Sequence, residues 1–159
     1  MYPEWRRIHH NFLVDNYSPQ ENVDNDDGSM YFQTHDNFLV YGGYGMKNDF
    51  GGHDNHHYRN IYAYVGQALG ICDQLEGHED YFFENHVIMV GESVGAFKCE
   101  GPGALVIGNN SYYTATGNVT ECHVQLNEWQ KKGKDANSAS FKYPQDHEII
   151  QWAKTMLNF

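Results

Sequence analysis

Gly52-His53-Asp54-Asn55-His56-His57-Tyr58-Arg59-Asn60 leads into Ile61-Tyr62-Ala63-Tyr64-Val65-Gly66. Twenty-five residues later Gly77-His78-Glu79-Asp80-Tyr81-Phe82-Phe83-Glu84-Asn85 leads into His86-Val87-Ile88-Met89-Val90-Gly91. The Gly-His pair, the acid after it, the aromatic two before the Asn, the Asn and the closing Val-Gly superpose without a gap. Self-similarity at a fixed period decides a fold before any local propensity does.

The period extends both ways. Its Asn falls at Asn11, Asn37, Asn60, Asn85 and Asn110, at spacings of 26, 23, 25 and 25. A short apolar strand follows each: Phe12-Leu13-Val14, Phe38-Leu39-Val40, Ile61-Tyr62-Ala63, Val87-Ile88-Met89 and Tyr112-Tyr113. Gly43, Gly66 and Gly91 each stand six residues after their Asn. A unit of this length, with aromatic and β-branched strands punctuated by Gly, Asn and Asp, reads as one winding of a parallel β-helix. Ala, Leu, Glu and Lys are too sparse between the turns for a helix-pair repeat. Stacked windings bring identical residues together, so the Asn residues should form a column whose side-chain amides bridge successive turns.

The windings occupy residues 1–126. Residues 127–142 are polar and break the pattern. Pro144 suits the first position of a helix, and Ile149, Trp152, Ala153 and Met156 recur at helical spacing. Residues 127–159 are therefore expected to be a loop and a closing amphipathic helix. The first repeat starts at Ile8, with no apolar segment between it and Met1-Tyr2-Pro3-Glu4-Trp5-Arg6-Arg7. An uncovered winding exposes unpaired strand edges. The expectation is the C-terminal part of a longer β-helix, with upstream turns or another chain covering that end.

The net charge of -11 over 159 residues repels phosphate backbones and argues against nucleic acid as a partner. No apolar run is long enough for a membrane span. Cys72, Cys99 and Cys122 lie about one winding apart, so one disulfide or three buried thiols both fit. Asn16, Asn109 and Asn118 stand in glycosylation sequons, which chance also produces in a chain of this composition.

The chemistry concentrates in Asp24-Asn25-Asp26-Asp27-Gly28 and in Lys47-Asn48-Asp49 with Gly52-His53-Asp54. Asp27 is ten residues before Asn37 and Asp49 eleven before Asn60, so stacking should bring these acids within about 4.8 Å, the spacing of neighbouring strands. Three readings compete. Paired carboxylates serve glycoside hydrolysis as acid and base or nucleophile. Asp24, Asp26 and Asp27 offer the oxygen ligands that Ca²⁺ prefers. Asp, Asn and Gly also simply build turns. The catalytic candidates are Asp26, Asp27, Asp49 and His53, with His53 paired to Asp49 or Asp27 for proton transfer.

His53 and His78 share a register, and His53, His56 and His57 have ligand-like spacing that His35 can join, yet no known zinc signature is complete. Lys47 is the cation beside the acids, suited to neutralising a uronate. His10, Asp36, Arg59 and Glu84 precede the column Asn and read as a structural ion-pair column. If Phe38, Val40, Ile61 and Ala63 point inward, Tyr41, Tyr62 and Tyr64 point outward as a platform for sugar rings. Lys47, Tyr41, Tyr62, Tyr64 and His78 are the substrate-binding candidates.

Leu126-Asn127-Glu128-Trp129-Gln130, then Gly133-Lys134-Asp135-Ala136-Asn137-Ser138, resembles the C-terminal signature of right-handed parallel β-helix proteins of the pectate-lyase-like superfamily, especially carbohydrate-active ones. The Asn column fits the same superfamily. The resemblance implies an all-β, right-handed parallel β-helix of about five turns with a C-terminal amphipathic helix. It implies a secreted protein that meets polysaccharide, as a lyase or hydrolase, or as a non-catalytic scaffold, adhesin or carbohydrate-binding protein. Fold resemblance does not transfer chemistry.

Overall fold

Each repeat folds as one winding of a parallel β-solenoid in a computed structural model that describes residues 4–14 and 21–159. The sequon at Asn16 lies outside the described residues. In chain order the strands are β1 (Arg6–His9), β2 (Phe12–Val14), β3 (Glu21–Asn25), β4 (Phe32–His35), β5 (Phe38–Asn48), β6 (His56–Tyr58), β7 (Ile61–Ile71), β8 (Tyr81–Phe83) and β9 (His86–Met89). They continue as β10 (Gly95–Ala96), β11 (Val106–Gly108), β12 (Ser111–Thr114), β13 (Thr120–Glu121), β14 (Val124–Gln125) and β15 (Ala139–Lys142). Two helices, α1 (Leu126–Gln130) and α2 (Asp146–Leu157), lie near the C-terminus.

Parallel pairing at one winding's separation builds two sheets, ordered β1-β4-β6-β8-β11 and β15-β12-β9-β7-β5-β2. β5 and β7 each turn a corner inside the second sheet. Tyr41 (φ 63°) and Tyr64 (φ 59°) adopt the left-handed conformation there. Beyond the corner the strands run on as a second limb, flanked by β3 and β10.

Another corner, between the first sheet and the second, carries the Asn column. In each winding the residue before the Asn is left-handed: His10, Asp36, Arg59, Glu84 and Asn109, with φ of 51–57°. Such a bend leaves backbone groups without sheet partners, and the Asn amides supply them. From Asn37 onward each Asn oxygen accepts from both the backbone N–H and the Nδ2 of the Asn one turn earlier. The distances are 3.0 and 3.0 Å for Asn11 on Asn37, and 3.1 and 3.0 Å for Asn37 on Asn60. Asn60 on Asn85 and Asn85 on Asn110 repeat it. The second Nδ2 hydrogen reaches a backbone carbonyl, as from Asn60 to Thr34 at 2.9 Å. The column ends where the Ser138 hydroxyl accepts from the Asn110 N–H at 2.7 Å. Residues 127–142 are thus more than a loop: β15 pairs in parallel with β12 as a further rung.

The interior stacks Leu39, Tyr62, Val87 and Tyr112 from one limb, Met46, Leu69 and Val94 from another, and Phe82 from the first sheet. Tyr62 is fully buried, so the expected parity is reversed. The in-pointing residues are Leu39 and Tyr62, while Phe38, Val40, Ile61 and Ala63 face outward and are covered by Ile149, Trp152, Ala153 and Met156 of α2. Both sides of this limb are apolar, so alternation alone could not tell inside from outside. The helix starts two residues later than Pro144 suggested. Gln145 is its N-cap and forms a reciprocal capping box with Glu148. Gly66 is required by close approach: a Cβ there would stand 2.7 Å from the Gly43 carbonyl oxygen one winding away. Cys99 and Cys122 form a disulfide and Cys72 is a free, exposed thiol. Among the described residues no helix is long and apolar enough to cross a membrane.

Candidate active site

Strand register assembles the acidic cluster. β3 and β5 pair through Asp24↔Lys47 and Asn25↔Asn48. Asn25 and Asn48 are buried, so alternation sends Asp24 and Lys47 outward as neighbours. Asp26 and Asp49 follow at the strand ends, one rung apart. The Lys47 ammonium lies 3.1 Å from Asp24 Oδ2, 3.0 Å from Asp49 Oδ2 and 3.9 Å from Asp26 Oδ2. One carboxylate oxygen from each of the three acids falls within 4.8 Å of the others.

Asp27 is not part of this cluster. Equal arcs of eleven residues to the column Asn pair Asp26, not Asp27, with Asp49. Asp27 turns the chain in the left-handed region (φ 49°), and its N–H donates to Asp26 Oδ1 at 2.7 Å. The set expected for Ca²⁺ changes accordingly, with Asp49 replacing Asp27. The Lys47 ammonium also stands where a cation would be held.

The three acids are electrostatically distinct. Burial pushes the Asp49 carboxyl above its ordinary value, and the adjacent Asp26 adds to the shift. Oδ1 of Asp49 is buried with no donor aimed at it, which further disfavours the charged form. Asp26 is held below its ordinary value, chiefly by its hydrogen bond with Asp49. Burial alone would lower Lys47, but its bonds to Asp49 and Asp24 outweigh that and raise it. Of the two, Asp49 therefore gives up its proton last and Asp26 takes the charge first, beside a fixed ammonium. Two carboxyls driven apart in this way are the arrangement that assigns acid and base.

His53 belongs to a separate cluster. Its Nδ1 lies 2.7 Å from Asp54 Oδ2, and His78 Nδ1 lies 2.7 Å from the same oxygen. The two rings, one winding apart, approach to 4.0 Å between centroids. Among the described residues neither Asp27 nor Asp49 pairs with His53, so the expected proton-transfer pairing is replaced by Asp54. The other histidines do not join. His57 is buried between Asn25 and Tyr62, at 3.0 and 2.7 Å. His56 packs against Trp5 and Tyr81, and His35 stacks between His9 and Tyr58.

No family model, no curated protein and no solved structure matches the chain.

The tyrosine platform is reduced to Tyr41 and Tyr64, whose rings stack at 6.1 Å beside an apolar groove of about 680 Å³ lined by Phe12, Phe38 and α2. The Tyr64 hydroxyl donates to Asp146 at 2.6 Å. Tyr41 and Asp49 occupy opposite ends of the β5 second limb, on the order of 20 Å apart by strand rise, so the groove does not serve the acids. Of the expected ion-pair column the structure forms one pair, Arg59 on Asp36 in two prongs at 2.9 and 2.7 Å.

Three residues near the two clusters were not among the site candidates. Phe50, 66% exposed, directly follows Asp49 and is the nearest aromatic in sequence to the acids; its Gly-Gly neighbours were the available signal. Asp54 serves two histidines at once. Cys72 is one rung beyond Asp49, and burial together with Asp49 and Asp73 pushes its thiol up, so it stays protonated.

Proposed function

We propose that the chain is the acid-bearing part of a carbohydrate-active β-helix hydrolase, acting on an extracellular polysaccharide at Asp24, Asp26, Lys47 and Asp49. The observation that carries this reading is the Asp26–Asp49 pair, two touching carboxyls with opposite shifts. In this role Asp49 protonates the glycosidic oxygen as its bond to the sugar carbon breaks and the Asp26 carboxylate bonds to that carbon; Asp49 then takes a proton from the water that displaces Asp26 and releases the sugar. Lys47 holds the pair together and can meet a uronate carboxylate. Oxygens within 4.8 Å are nearer to the roughly 5–5.5 Å separation of retaining enzymes than to the roughly 6.5–9.5 Å of inverting ones. Hydrolysis is favoured over β-elimination, because a lysine kept charged is no base. The exposed Phe50 offers a ring face for a sugar to pack on. The Cys99–Cys122 disulfide supports an oxidising, extracellular setting, and the pectate-lyase-like resemblance supports the substrate class.

The rival is a non-catalytic, carbohydrate-binding or adhesive scaffold. It is favoured by one observation: Lys47 already pairs with Asp24 and Asp49. Incubating the full chain with a panel of neutral and acidic polysaccharides separates the readings. New reducing ends without ultraviolet-absorbing unsaturated products, lost in Asp49→Asn, support the hydrolase. Unsaturated products identify a lyase, and no product with any substrate leaves the scaffold.

A further inference from the structure

We infer that His53, Asp54 and His78 form a binding site for a divalent transition-metal ion, zinc being the best match, separate from the acidic cluster. The solenoid itself makes the site. His53 and His78 are equivalent residues of successive windings, and stacking places their rings 4.0 Å apart. Backbone bonds pin both: the His53 N–H donates to the Ser29 carbonyl at 3.1 Å, and the His78 N–H to the Leu75 carbonyl at 3.3 Å. Asp54 takes a left-handed conformation, φ 54°, and its Oδ2 lies 2.7 Å from each Nδ1.

Two imidazole nitrogens and one carboxylate oxygen are the donor set that suits zinc rather than calcium or magnesium, which demand oxygen. Tetrahedral ligands at about 2.0–2.1 Å from a zinc ion lie about 3.3 Å from one another. Carrying the ring proton of each histidine on Nε2 instead of Nδ1, with a shift of about half an ångström, converts the hydrogen-bonded triad into ligands. A depression of about 350 Å³ beside Asp54 and His78, with Glu79 and Tyr81 on its wall, gives entry and leaves room for a water ligand. The Tyr81 hydroxyl donates to Glu79 at 2.8 Å and holds that carboxylate near the entrance. A bound ion would clasp the third and fourth windings together.

The test uses the tag-free full chain. Titration with Co²⁺ should give visible absorption saturating at one equivalent and displaced by Zn²⁺, and zinc should raise the melting temperature by several degrees. His78→Ala and Asp54→Asn should each weaken binding about tenfold or more, whereas His56→Ala should leave it unchanged. Should the variants fail to fold, ¹⁵N spectra of the wild-type imidazoles decide: zinc must move the His53 and His78 ring nitrogens. Absence of saturable one-to-one binding, full binding by a folded His78→Ala, or unmoved ring nitrogens each overturn the site.

Discussion

A carboxyl keeps its proton above the ordinary carboxylate range only when its surroundings make the charge costly, and Asp49 has three such features: burial, an oxygen without a donor, and a second carboxyl beside it. Asp26, a third exposed and bonded by Asp49, holds the charge instead. If they act as acid and base, the rate should follow a bell-shaped pH profile whose alkaline limb belongs to Asp49 and whose acid limb belongs to Asp26. Asp49→Asn should remove the alkaline limb and lower kcat by about 10²–10⁴-fold, with the melting temperature near that of the wild type. An unchanged kcat would assign both residues to structure. Lys47→Met makes a separate demand. It leaves three carboxylates facing one another, so it should destabilise the chain by about 1–2 kcal/mol at pH 7. The carboxylates regain stability by taking up protons, so the gap to wild type should narrow as pH falls towards 4 in urea titrations.

Among the elements, the Asn column bears most on the fold. Asn60→Ala removes the acceptor for two buried donors of Asn37 and two donors of its own. At about 1–3 kcal/mol per buried group left unpaired, the loss should be at least about 3 kcal/mol. Asn60→Asp, which accepts but cannot donate, should fall between alanine and wild type by chemical denaturation. The column was legible in the sequence because one residue type returns at one place in every winding. The orientation of the strands after it was not, because Leu39 and Phe38, or Tyr62 and Ile61, are all apolar. One set fills the solenoid and the other lies under α2. The acidic cluster was legible to within one residue. Asp54 was not, since sharing it between two histidines depends on a left-handed turn that no local pattern announces. Cysteine spacing likewise left the pairing open. The Cys99–Cys122 bridge closes a separation of 23 residues, and replacing both cysteines by serine should cost about 3 kcal/mol by loop entropy.

At the scale of the whole molecule, the interior of the solenoid holds ionisable groups that must be neutral to stay there, and their pH windows oppose one another. His57, buried between Asn25 and Tyr62, is pushed down to about 3 by burial, so the unfolded chain binds the extra proton below the ordinary value near 6.5 and acid destabilises the fold. Glu121, beneath the C-terminal segment beside Asp135 and Trp129, is pushed up to about 9, first by burial and then by Asp135. Here the folded chain binds the extra proton. Stability from Glu121 is fully present below about 4.5 and is lost as pH rises towards 9. Asp80, raised by burial to about 6, acts in the same direction, but its window ends below neutrality. Between about 6.5 and 9 His57 no longer opposes Glu121, since it changes in neither state. Over that window stability should fall by roughly 2–3 kcal/mol, a large share of the roughly 5–15 kcal/mol that holds a domain together. Glu121→Gln keeps a donor for Asp135 but cannot ionise, so its melting temperature should stay level from pH 6.5 to 9 and exceed that of the wild type at the upper end. A wild-type curve that is flat across this window, or a glutamine variant that declines in parallel with it, would mean that the carboxyl beneath the last winding is charged and paired at neutral pH.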